Sequence, residues 1–102
     1  MIDVMSRLDE VKTRTAGALK LAESDPGASV VLVAVVREFD NKSDKATASA
    51  TTESAARDAV IELEQAGDSA KAAVEADLGA SAATRQAVLD AHLTICILKT
   101  EV

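Results

Sequence analysis

The chain has 102 residues and a net charge of −6, enough length for one domain with a modest core. Phe39 is its only aromatic residue, Pro26 its only proline and Cys96 its only cysteine. One cysteine excludes an internal disulfide, few aromatics and turn residues disfavour a strand-rich fold, and acidity disfavours nucleic acid and anionic membrane as partners. Alanine is the commonest residue and the best helix former, so the composition predicts an all-α protein.

No targeting signal is recognisable in "MIDVMSRLDEVK", and the longest apolar run, "VVLVAVV" at 30–36, is too short to span a bilayer. A cytoplasmic protein is expected. In that compartment the "NKS" at 41–43 is a chance match to a glycosylation sequon.

The first predicted helix runs from about Asp3 to Glu23, where Val4, Leu8, Val11, Thr15, Ala18 and Ala22 repeat at helical spacing. "SDPG" at 24–27 ends it; Ser24 or Asp25 is a candidate cap, and Pro26 suits the first position of a following helix. The second predicted helix, Pro26 to about Lys45, is apolar on nearly every side at first, since Val30, Val33 and Val36 lie off the face shared by Ala28, Leu32, Val35 and Phe39. A strand is the rival reading of 30–36, with a partner near 93–98 in "LTICIL". Helix is favoured because no turn residue interrupts 28–40.

The polar stretch at 40–52 is expected to hold the second connection. Its Asp40, Lys42 and Asp44 spacing lacks the glycine and the final acid of a calcium loop. The third helix, Thr52 to Leu78, keeps a stripe of Ala56, Val60, Leu63, Gly67, Ala70, Val74 and Leu78. At that length it either projects beyond its neighbours or bends at Gly67, and its small residues predict close approach at Gly67 and Ala70. Gly79 is its expected stop, and Ser81 the cap of a last helix from Ala82 to about Lys99. No long internal repeat is evident.

Seven acids against Arg57 and Lys71 concentrate −5 of the net charge between residues 52 and 78. Glu62, Glu64, Asp68 and Glu75 on that helix are the candidate surface for a basic protein partner. On the last helix Arg85, His92 and Lys99 form one cationic row between two apolar faces: Val88, Ala91, Ile95 and Leu98 on one side, Leu89, Leu93, Cys96 and Ile97 on the other. That is the pattern of a helix wedged between two neighbours.

His92 and Cys96, four residues apart, could share a metal ion. Third and fourth ligands are missing at any recognisable spacing, so neither a metal nor a cofactor is expected. Cysteine in an apolar run usually packs as a small hydrophobe. No phosphate loop, nucleophile elbow or histidine cluster suggests an enzyme.

The expected architecture is a single helical domain, 1–102, folded as an up-down-up-down four-helix bundle; the alternative is an α+β domain. The expected function is a non-enzymatic protein–protein interaction module, of which an assembly or secretion chaperone is one form. It forms a homodimer through Val30, Val33 and Val36 on the second helix. The alternative is a small-ligand or metal-binding bundle centred on the last helix.

Overall fold

Four helices follow one another in the computed structural model, which describes residues 3–102: α1 (Val4–Ser24), α2 (Val30–Ser49), α3 (Glu53–Ala76) and α4 (Ala82–Glu101). Each begins on a residue whose side-chain oxygen accepts a hydrogen bond from a first-turn amide: Asp3, Ser29, Thr52 and Ser81. Such caps satisfy donors that a helix start leaves open. With short connections between them, the helices pack in a closed cycle, each against its two neighbours, as an up-down-up-down bundle. Arg7 near the start of α1 pairs with Glu101 at the end of α4, so those two run antiparallel as well.

Among the described residues there is no strand, and both candidate strand segments lie inside α2 and α4. None of the described helices is long and apolar enough to cross a membrane. Helix α2 also runs further than the sequence suggests, through the polar stretch to Ser49, leaving only 50–52 as connection. The reason lies on its inner face, where Asp40, Ser43 and Ala46 continue the buried line of Leu32, Val36 and Phe39. Asp40 is held there by Thr15 Oγ1 and Lys12 Nζ, both at 2.8 Å. With α2 this long, α3, at 24 residues, exceeds the 20 residues of each neighbour by only four. Ser29, not Ser24 or Asp25, caps α2, which leaves Pro26 in the loop.

The structure also corrects the absence of a repeat. Helices α2 and α4 start at Val30 and Ala82 and end at Ser49 and Glu101, the same offset of 52 residues at both ends. Across that offset the burial pattern coincides: Leu8, Val11, Thr15, Ala18 and Ala22 match Val60, Leu63, Gly67, Ala70 and Val74. Likewise Leu32, Val36, Phe39 and Ala46 match Thr84, Val88, Ala91 and Leu98. Side-chain volumes compensate rather than repeat. The Phe39 ring reaches α3 at Gly67, where an added Cβ would meet Phe39 Cζ and Ile95 Cγ2 at 3.2 Å. Gly67 and Ala70 are both buried, as the small-residue stripe predicted.

The longest run of identity lies at the turns, "DPGAS" at 25–29 and "DLGAS" at 77–81, which clasp each other. Asp25 Oδ2 accepts from the Ser81 amide (2.8 Å) and Thr84 Oγ1 (2.7 Å), and Asp77 Oδ2 accepts from the Ser29 amide (2.8 Å). A Cβ on Gly27 would lie 3.0 Å from the Gly79 carbonyl carbon and closer still to its oxygen. Neither glycine has a positive φ, so the turns need glycine for space and not for backbone freedom. For the same reason Gly79 is no left-handed helix stop; α3 ends earlier, on Asp77. These donors hold the Asp25 carboxyl down at about 2, chiefly through the Ser81 amide, and lower that of Asp77 through the Ser29 amide.

Candidate functional site

The cationic row of α4 lies along the acidic side of α3. Arg85 donates to the carbonyls of Val74 (2.8 Å) and Asp77 (2.9 Å), closing the C-terminal end of α3. One step along, His92 Nε2 is 2.8 Å from Asp68 Oδ1, and Lys99 Nζ donates to Glu64 Oε1 at 2.9 Å. A row spaced seven apart on one helix thus meets carbonyls and carboxylates on its antiparallel neighbour. Lys42 Nζ on α2 takes up Glu62 at 2.6 Å. These bonds lower the carboxyls of Asp68 and Glu62, through His92 and Lys42 respectively, and raise the Lys99 ammonium through Glu64.

Three of the four acids proposed for a partner are therefore engaged inside the chain, while Glu75 is exposed and makes no ion pair among the described residues. The proposed self-association residues separate too. Val30 is 86 % exposed on the first turn of α2, Val33 is half-buried, and Val36 is fully buried in the core. Val36 is a correction: with Leu32 and Phe39 it faces α1 and α3, so no outer surface includes it. The all-round apolar stretch is mostly covered within one chain, leaving Val30 and Val31 open.

Where α3 and α4 meet, Cys96 Sγ approaches His92 Nε2 at 3.4 Å and Nδ1 at 3.9 Å. Asp68, His92 and Cys96 each offer one donor atom, all within 4.8 Å of one another. Asp68 is the third donor that spacing along α4 could not reveal, because it comes from the neighbouring helix. The arrangement does not form a nucleophile–base–orienter relay, which needs thiol and carboxylate on opposite ring nitrogens. Here both lie nearest Nε2. Burial, then the Glu64 and Asp68 carboxylates, push the Cys96 thiol up, which makes it a poor nucleophile.

Helix α4 does lie between two neighbours, α1 and α3, but they cover its second apolar face only in part. Val88, Ala91, Ile95 and Leu98 are core, but of its second apolar face Leu93 is 57 % and Ile97 44 % exposed. Beside these two, Arg7, Glu10 and Arg14 of α1 and Asp90 of α4 line an open groove. A larger open cleft of about 550 Å³, beside the start of α1 and the end of α4, is lined by Val4, Met5, Ala50, Ala56, Arg57 and Val102 among others and shares no residue with the Asp68–His92–Cys96 cluster. Comparison with protein-family models, curated proteins and solved structures finds no match for this chain.

Proposed function

We propose that this protein is a non-enzymatic interaction module of the cytoplasm that pairs with a second copy of itself through the outer face of α4. One observation carries the reading: the second apolar face of α4 is only partly covered, with Leu93 and Ile97 exposed while Leu89 packs against the edge of the core. Leu89, Leu93 and Ile97 follow each other at four-residue steps, the ridge that packs into the groove of another helix. The groove beside them carries Arg7 and Arg14 together with Glu10 and Asp90. Arg7 and Arg14 already pair with Glu10, and Arg7 with Glu101, so this border is balanced within the chain and the apolar ridge is left to meet its own copy across a two-fold axis.

Valines at the start of α2 support a second contact less well. Val30, Val31 and Leu78 are the most exposed large apolar residues, and they flank the turn clasp at one end of the bundle. The molecule is 41 Å long but only 20 × 17 Å across. An end that narrow presents well under the ~800 Å² per partner of a standard interface. An acid-driven partner on α3 is disfavoured because Lys42 and Lys99 already pair with Glu62 and Glu64, and the His92 ring already bonds Asp68.

Sedimentation equilibrium separates these surfaces. The wild-type chain should show a monomer–dimer equilibrium that Leu93→Asp abolishes and Val30→Asp leaves in place, with helicity unchanged in both. Dimerisation lost with Val30→Asp and kept with Leu93→Asp would return the contact to α2. A monomer at every concentration would overturn self-association altogether.

A further inference from the structure

We infer that Asp68, His92 and Cys96 form a binding site for a divalent transition ion of the zinc class, with three protein donors and one position left to solvent. Donors of three kinds converge from two helices: a carboxylate of α3, and an imidazole and a thiol one turn apart on α4. Ligand bonds of ~2.0–2.3 Å place tetrahedral donors roughly 3.3–3.8 Å apart. Nε2 lies 2.8 Å from Asp68 Oδ1 and 3.4 Å from Cys96 Sγ, and the whole set spans no more than 4.8 Å. Small side-chain rotations therefore bring all three onto one ion.

A further observation points to a cation. In the first half of the chain the positions matching Glu64, His92 and Cys96 are Lys12, Asp40 and Asp44. There the cluster has a cation of its own, the Lys12 ammonium, 2.8 Å from Asp40 and 3.0 Å from Asp44. In the second half the Lys12 position is Glu64, an acid that Lys99 pairs, and the third donor, Asp68, stands where the first half has Ala16. Of the cations near the site, Arg85 is committed to the end of α3 and Lys99 to Glu64; Lys71 is the other one that acts on Cys96. On binding, the ion displaces the Cys96 thiol proton to solvent and forms a sulfur–metal bond; thiolate and carboxylate then balance its two charges. The mixed sulfur, nitrogen and oxygen set suits zinc or cobalt rather than magnesium or calcium.

Cobalt(II), added alone to the purified, reduced chain, is the probe. The expected result is one equivalent giving the intense visible bands of a tetrahedral ion and a thiolate-to-cobalt charge-transfer band, all removed by zinc. Cys96→Ser should abolish the charge-transfer band. Asp68→Asn and His92→Gln should each weaken binding at least about tenfold, the scale on which metal sites respond even to outer partners, with circular dichroism showing that the helices persist. In the unaltered chain, one equivalent of zinc should shift the His92 ring resonances. A weak octahedral spectrum, an unmoved His92 ring, or Asp68→Asn and His92→Gln titrating like wild type would overturn the site.

Discussion

Replacing Gly27 by alanine tests the turn clasp with the smallest possible addition. The new methyl carbon would sit 3.0 Å from the Gly79 carbonyl carbon and nearer to its oxygen, against a comfortable separation of ~3.5–4.0 Å. Both opposing atoms are backbone, so no rotamer relieves the overlap and the two turns must separate. Their separation lengthens the bonds from Ser81 and Thr84 to Asp25 and from Ser29 to Asp77. Overpacking typically costs about 1–3 kcal/mol, and a backbone collision belongs at the upper end. In a domain of this size about 3 kcal/mol lowers the melting temperature by roughly 10–20 °C. Thermal and urea unfolding of Gly27→Ala, Gly79→Ala and the double variant provide the assay. The double variant should cost little more than one substitution, because the first already opens the gap that the second fills. Gly17→Ala is the matched control: its Cβ would meet nothing within 4 Å, and removing glycine from a helix interior should stabilise by about 0.5–1 kcal/mol. A Gly27→Ala protein melting within about 2 °C of wild type, well short of the expected fall, would refute the clasp.

Three other outcomes follow from the same structure. Ser43 Oγ is buried without a hydrogen-bond partner, so Ser43→Ala should be at least as stable as wild type, by up to about 1 kcal/mol in urea unfolding; a clear loss would mean that the hydroxyl is bonded. Lys12→Met leaves Asp40, only 8 % exposed, without its ammonium, and should destabilise by about 1–3 kcal/mol, less than a fully buried pair because Lys12 is partly solvated. Acid should weaken the fold through Asp25, whose carboxyl is held down at about 2. A depressed carboxyl contributes stability above its unfolded value of 3.8, and that contribution fades as pH falls toward 2. Asp25→Asn should flatten this part of the pH profile, and an unchanged acid transition would contradict it.

Helix stripes were legible in the sequence because burial in a bundle repeats at helical spacing. Nearly every residue placed on the first and third stripes, from Leu8 to Ala22 and from Ala56 to Val74, is buried; Leu78, beyond the end of α3, is not. Polar residues at 40–46 misled, since Asp40 and Ser43 enter the inner face and Asp40 is neutralised by Lys12, 28 positions away. The repeat was hidden because the halves share burial and turn geometry but few identities: Phe39 stands where Ala91 does, and Thr15 where Gly67 does. Only "D-x-G-A-S", twice, could have given it away. Of the candidate metal centre, His92 and Cys96 were visible as an i, i+4 pair. Asp68 was visible only as one acid among many, and its place depends on the register of α3 against α4.

Self-association through α4 is tested most directly by a dilution series of amide nuclear magnetic resonance spectra on the unaltered chain. Progressive shifts centred on Leu89, Leu93 and Ile97, with Arg7 and Arg14 across the groove, are the result this structure predicts. Shifts confined to Val30, Val31 and Leu78, or spectra identical at every concentration, would contradict it.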